Sequence, residues 1–176
     1  MRRPANHRLS PLETAGVGFL RLRWVLACIV LLALTACERP PQLPRLGSND
    51  VILAFGDSLT HGTGASPDTA YPAVLQQLTG RTVINAGVPG ETTADGRARL
   101  SAVLDEFNPR LVLLCLGGND MLRKQDLSSA EANLRSMIQI IRAHGASVVL
   151  IGVPEPGLFT DPPDMYDKLA DEFDLP

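Results

Sequence analysis

Residues 51–60 read Val51-Ile52-Leu53-Ala54-Phe55-Gly56-Asp57-Ser58-Leu59-Thr60. The first five are continuously apolar and bounded by Asp50 and Gly56, the pattern of a strand buried on both faces, and such strands belong to parallel sheets. Three similar runs follow, at Thr82 to Ile84, Leu111 to Leu116 and Ser147 to Val153. Between them the spacing turns helical. Tyr71, Val74, Leu75 and Leu78 recur at i, i+3, i+4 and i+7 ahead of Gly80, and Leu100, Val103, Leu104 and Phe107 repeat the pattern ahead of Pro109. Ser128 with Glu131 reads as a capping box that opens a third helix, burying Leu134, Met137, Ile138 and Ile141 before Gly145. A fourth helix is expected from about Asp164 to Phe173, with Tyr166, Leu169 and Phe173 on one face. Strand and helix alternating in this way predict a doubly wound α/β sandwich with a parallel sheet.

In an open parallel sheet, ligands bind beyond the carboxyl ends of the strands. The residues there are Gly56-Asp57-Ser58 after the first strand, Asn85 to Gly90 after the second, and Gly117-Gly118-Asn119-Asp120 after the third. A serine at a tight strand-to-helix turn presents its hydroxyl where backbone N–H groups favour developing negative charge. Taken singly, each position has a plainer explanation: Ser58 as a helix cap, Asn119 as a turn residue, Gly90 as a loop glycine with positive φ.

Taken together, the three segments resemble the SGNH hydrolase family, whose first block reads Gly-Asp-Ser-Leu, and most closely its arylesterase and thioesterase I subgroup. The resemblance extends from Val51 through Tyr71-Pro72 and Leu116 to Asp120 into the stretch from Lys168 to Pro176. It implies a three-layer α/β/α sandwich around a parallel, flavodoxin-like sheet, and hydrolysis of a small-molecule ester or thioester. Ser58 would be the nucleophile, with the Ser58 N–H, the Gly90 N–H and the Asn119 side-chain amide as oxyanion donors, and Asp57 bracing the turn. No cofactor or metal is implied.

The family also carries an Asp-x-x-His motif after a fifth strand, and no histidine follows His144 here. The general base is therefore not expected within these 176 residues, nor are the last strand and helix of the fold. By itself the chain is expected to hydrolyse esters slowly. His61 lies one helical turn from Ser58, at the entrance to the site, and does not occupy the family's base position. His144 reads as a polar residue in a helix's last turn, Asp161, Asp164 and Asp167 as solvated carboxylates, and Cys115 as an inert buried thiol. The loop from Pro154 to Gly157 and Pro162-Pro163 should border the substrate pocket, with Leu158 and Phe159 either lining it or packing within the loop.

Charge separates the leader from the body. The first 36 residues contribute +4 to a total of −3, leaving −7 beyond them, which argues against nucleic acid as partner. Three cysteines, Cys28, Cys37 and Cys115, are too few for a disulfide framework or a paired-cysteine zinc site. A nucleotide-binding protein fits poorly, because Gly56 to Gly64 holds no lysine and matches neither phosphate-binding glycine fingerprint. A lipid-anchored binding module without catalysis is the competing alternative from another class.

Trp24 to Ala36 is a short apolar run behind Arg21 and Arg23, too short to span a bilayer, for which ~20 residues are needed. Its end, Leu34-Thr35-Ala36-Cys37, resembles the bacterial lipobox, in which the cysteine is lipidated. The expected organisation is a lipoprotein signal peptide over 1–36, a Pro-rich tether over 37–50 and an SGNH hydrolase domain over 51–176. Glu38 after the cysteine points to the outer membrane, with the domain on the periplasmic side. Metabolic labelling with palmitate should tag Cys37, and a Cys37→Ser variant that still labels would contradict this assignment.

Overall fold

The computed structural model describes residues 43, 45–155, 157 and 161–176. The expected signal peptide, Cys37 with residues 38–42 and 44 of the tether, and Leu158 and Phe159 lie outside the described residues. Four strands, β1 (Ile52–Gly56), β2 (Val83–Gly87), β3 (Leu111–Cys115) and β4 (Ser147–Leu150), form one sheet in the order β2-β1-β3-β4. All three pairings are parallel, with Ile52 opposite Val83 and Leu111, and Leu111 opposite Ser147. The helices are α1 (Ser58–His61), α2 (Tyr71–Thr79), α3 (Thr93–Phe107), α4 (Gly118–Leu122), α5 (Leu127–Ala143) and α6 (Met165–Phe173). This is the parallel α/β architecture expected from the alternation of apolar runs, in the flavodoxin-like order that the resemblance implies.

The direction of travel across the sheet reverses once. The chain steps from β1 to β2 on one side, then crosses back to β3 and on to β4. With right-handed crossovers, that reversal puts α2 on one face and α3 and α5 on the other. There α3 packs on α5, and α5 on α6. The core lies between this layer and the sheet, built from Leu53, Phe55, Val112 and Leu114 of the strands and Leu100, Leu104, Leu134, Met137, Ile138, Ile141 and Leu169 of the helices. β1 is buried along its whole length, as its unbroken apolar run requires.

Several local expectations are corrected. β2 runs to Gly87 rather than ending at Ile84, so Asn85 to Gly87 belong to the strand and pair with Ala54 to Gly56 instead of following it. The third helix begins at Leu127, not Ser128, and Ser128 is not its cap. Asp126 takes that role, its carboxylate accepting from the Ser128 N–H at 3.0 Å and the Ser128 hydroxyl at 2.5 Å. An ionised oxygen is the stronger acceptor, and Glu131 is left to pair with Arg135 at 2.7 Å, one turn along. A capping box does occur, but at the start of α3, between Thr92 and Asp95.

On α2 the apolar stripe is only partly covered, Tyr71 and Leu75 being half-buried. Val74 is 37% and Leu78 80% exposed, because the helix rests against the edge strand β2 and meets the sheet along a narrow strip. Finally, β4 ends at Leu150 rather than Val153. Ile151 still donates to Leu114 at 2.9 Å, but β3 has no further partner to offer, since the chain turns at Gly117 with φ +121°. Val153 remains buried as part of a loop.

Leu134 is wholly enclosed at the contact of α5 with the sheet. Leu134→Ala should lower the unfolding free energy by about 2–5 kcal/mol in a urea titration, and a loss under about 1 kcal/mol would contradict its central placement.

Candidate active site

The reversal in strand order places a crevice between the carboxyl ends of β1 and β3, and the polar segments meet there. At the end of β1, Asp57 caps α1, its Oδ1 accepting from the Leu59 N–H at 2.9 Å. Ser58 is then the first residue of the helix, half-buried, with its N–H donating to nothing among the described residues. The turn is tight because its neighbours lack side chains. A Cβ on Gly56 would collide with the Thr60 hydroxyl and the Cys115 carbonyl, and one on Gly87 with the His61 backbone nitrogen. Buried Thr60 also meets the Tyr71 hydroxyl at 3.2 Å.

The segment after β2 closes a turn through the Glu91 N–H, which donates to the Val88 carbonyl at 3.2 Å. Pro89 and Gly90 occupy its centre, and Gly90, at φ +80°, takes the left-handed conformation that this type of turn requires at its third residue. The Gly90 N–H donates to nothing among the described residues, while its carbonyl accepts from Arg123 at 2.7 Å.

Asn119, on α4, joins the segments. Its Nδ2 donates to Asp57 Oδ2 at 3.1 Å and to the Glu91 carbonyl at 2.9 Å, so the loops after β1, β2 and β3 are tied through one side-chain amide. Its neighbour Asp120 accepts from the Thr93 N–H at 2.9 Å and the Thr93 hydroxyl at 2.7 Å, docking α4 on the start of α3. From the other side, the Tyr166 hydroxyl donates to the Leu116 carbonyl at 2.8 Å. Gly117 has no room for a Cβ beneath that hydroxyl.

Glu91 and Arg99 were not singled out from the sequence, and Asp120 and Tyr166 were placed there without the contacts that give them a part in the site. Thr92 and Asp95 form a readable capping pattern, but Glu91 precedes the cap and lies outside the helix that carries Arg99, so helical periodicity does not relate the two.

Three carboxylates are gathered here, Asp57 (2% exposed), Glu91 (7%) and Asp120 (2%). Burial holds the Asp57 carboxyl above the usual carboxylate range, with the negative charges of Glu91 and Asp120 adding to the effect. Cys115 beneath the site is buried, and burial with the Asp57 charge nearby pushes its thiol up to about 11. It is therefore an unreactive thiol at neutral pH.

Of the histidines, His61 is exposed and its ring makes no hydrogen bond among the described residues. His144 caps the C-terminus of α5, just before β4 begins and so at the amino ends of the strands, 3.8 Å from Asp105. Glu155 and Leu127 border a cleft of about 470 Å³ beside α4, and Pro162 and Pro163 line a second of about 540 Å³. Ser58 is not among the residues that line either.

The sequence pattern of the GDSL-like lipase/acylhydrolase family matches residues 54–174, which contain every one of these segments. The chain belongs to this family of ester-bond hydrolases. It is 35% identical over 161 residues to thioesterase 1/protease 1/lysophospholipase L1 of Escherichia coli, covering 88% of this chain and 74% of that protein. It is 37% identical over 130 residues to the esterase TesA of Pseudomonas aeruginosa, covering 71% and 65% of the two chains. The crystal structure of AlinE4, an SGNH-hydrolase esterase, superposes with a TM-score of 0.66 at 36% identity, over 74% of this chain and 76% of that one.

The raised pKa of Asp57 has a consequence for stability. Between the unfolded value near 3.8 and the higher folded value, the folded state holds more protons, so this contribution is present at low pH and lost as pH rises through the folded pKa. Relative to Asp57→Asn, the wild type should therefore lose unfolding free energy from pH 4 upward. A difference that grows in the wild type's favour would contradict the assignment.

Proposed function

We propose that the protein hydrolyses carboxylic esters or thioesters by acyl transfer to Ser58. Ser58 Oγ attacks the carbonyl carbon, the carbonyl oxygen becomes negative, and the alcohol or thiol departs with a proton to leave an acyl-serine that water then cleaves. The observation that carries this reading is the convergence of the donors. The Ser58 and Gly90 N–H groups are both free among the described residues, and Asn119 is held between Asp57 and Glu91 beside them. Preorganised donors aimed at the developing oxyanion are commonly the largest single contribution to such catalysis. Asn119 engages both amide protons in the resting site. Donation to substrate requires one to swing from Asp57 Oδ2, the longer of its two contacts.

The serine must also lose a proton to a base within hydrogen-bond reach. The family resemblance assigns this to the histidine of the Asp-x-x-His motif, and neither His61 nor His144 is given that role. That the relatives are a thioesterase and lysophospholipase and an esterase supports the ester and thioester class. Lipidation at Cys37, with the domain carried on the periplasmic side of the outer membrane, completes the proposal. The last residues before β1 already lie on the domain, where Arg81 donates to the Leu46 carbonyl at 2.7 Å and the Gly47 carbonyl at 3.3 Å.

The test uses p-nitrophenyl butyrate with imidazole in solution as an added general base. The chain should release p-nitrophenolate faster than Ser58→Ala under the same conditions, with a butyryl group found on Ser58 by peptide mass spectrometry. Asn119→Ala should lower the Ser58-dependent rate by about 10²–10³. A rate and adduct pattern identical in wild type and Ser58→Ala would overturn the proposal.

A further inference from the structure

We infer that Arg99 and Glu91 form a positioning pair that sets the geometry of the oxyanion donors, an inference that rests on the reading of Ser58, Gly90 and Asn119 given above. Neither side chain reaches the reacting atoms. Their effect runs through the backbone they hold.

Arg99 lies on α3 and projects under the ends of two strands. Its Nε donates to Glu91 Oε1 at 2.5 Å and its Nη2 to Glu91 Oε2 at 2.6 Å, a two-pronged pair with a nearly inaccessible carboxylate. The same Nη2 donates to the Ala86 carbonyl at 2.8 Å and the Gly56 carbonyl at 3.4 Å. The guanidinium lies 4.0 Å from the centre of the Phe55 ring, whose face favours a cation. One planar group thereby grips the end of β1 just before Asp57 and Ser58, the end of β2, and the loop beyond it.

Glu91 passes this constraint to the donors. It follows Gly90 directly, its N–H closes the turn onto Val88, and its carbonyl receives the Asn119 amide. A shift of the Glu91 backbone therefore moves the Gly90 N–H and the Asn119 side chain together, away from a Ser58 N–H fixed by β1. Catalytic geometry is sensitive on this scale, since misplacement by about 1 Å costs roughly 10²-fold in rate.

A guanidinium does this where an ammonium does not. Lysine keeps the charge but is a single point donor, without the fork that meets two carboxylate oxygens and a carbonyl at once. Arg99→Lys is thus a selective probe, with Glu91→Gln as its counterpart on the loop.

The experiment compares wild type, Arg99→Lys, Glu91→Gln and Ser58→Ala on p-nitrophenyl butyrate with imidazole present. Alongside, NMR reads the Asn119 side-chain amide and hydrogen exchange at the core amides of Leu53 and Val112. The expected result for Arg99→Lys and Glu91→Gln is a fall of about 10- to 100-fold in kcat with KM little changed. The Asn119 amide protons should shift and exchange faster with solvent, while the core amides keep wild-type protection. If the variants only unfold at lower temperature, keeping wild-type kcat and Asn119 resonances, the pair is structural and the inference falls. If wild type and Ser58→Ala turn over equally, the nucleophile reading fails. The Asn119 resonances still decide whether the pair positions that amide, unmoved resonances overturning the inference.

Discussion

The site depends on the reversal of strand order at β1. Because β2 lies to one side and β3 to the other, the loops leaving β1 and β3 part in opposite directions and open a crevice between them. β1 is also the strand buried along its whole length, so the segment that carries Ser58 leaves from the most constrained element of the fold. The remaining polar groups are placed by their distance from that point.

Close approach makes the crevice narrow enough to matter. Gly56, Gly87 and Gly117 each stand where a Cβ would collide with backbone or a buried hydroxyl, so the ends of three strands draw in against α1 and α6. Bringing them together buries three carboxylates, which would repel one another and lose hydration. Each is satisfied instead: Asp57 by the Leu59 N–H and Asn119, Glu91 by Arg99, Asp120 by Thr93. Among the described residues no buried side-chain nitrogen or oxygen lacks a partner. The polar network both stabilises the crevice and orients what faces into it.

Much of this was legible from local pattern. The apolar run Val51 to Phe55 belongs to a strand buried on both faces, and the buried residues of α5, Leu134, Met137, Ile138 and Ile141, are the ones that helical spacing names. Other local rules misplaced details for definite reasons. Ser128 loses its cap because Asp126, two residues earlier, is the better acceptor. Val74 and Leu78 stay exposed because periodicity gives the direction of an apolar stripe but not the width of the surface available to cover it. That width is small against an edge strand.

By itself, the sequence determined the class of fold, the order of its elements and the identity of the three segments that carry Ser58, Gly90 and Asn119, since apolar periodicity and strand-end motifs are properties of neighbouring residues. Tertiary structure alone decided how those segments are joined. Asn119 reaches Asp57 across 62 positions, and the Arg99 guanidinium reaches the Gly56 carbonyl across 43. Contacts of that kind exist only once the sheet has aligned the ends of β1, β2 and β3, and no local spacing encodes them. The physical reason is one of range: side-chain periodicity acts over a few residues, whereas the geometry of this site is set by which strands lie side by side.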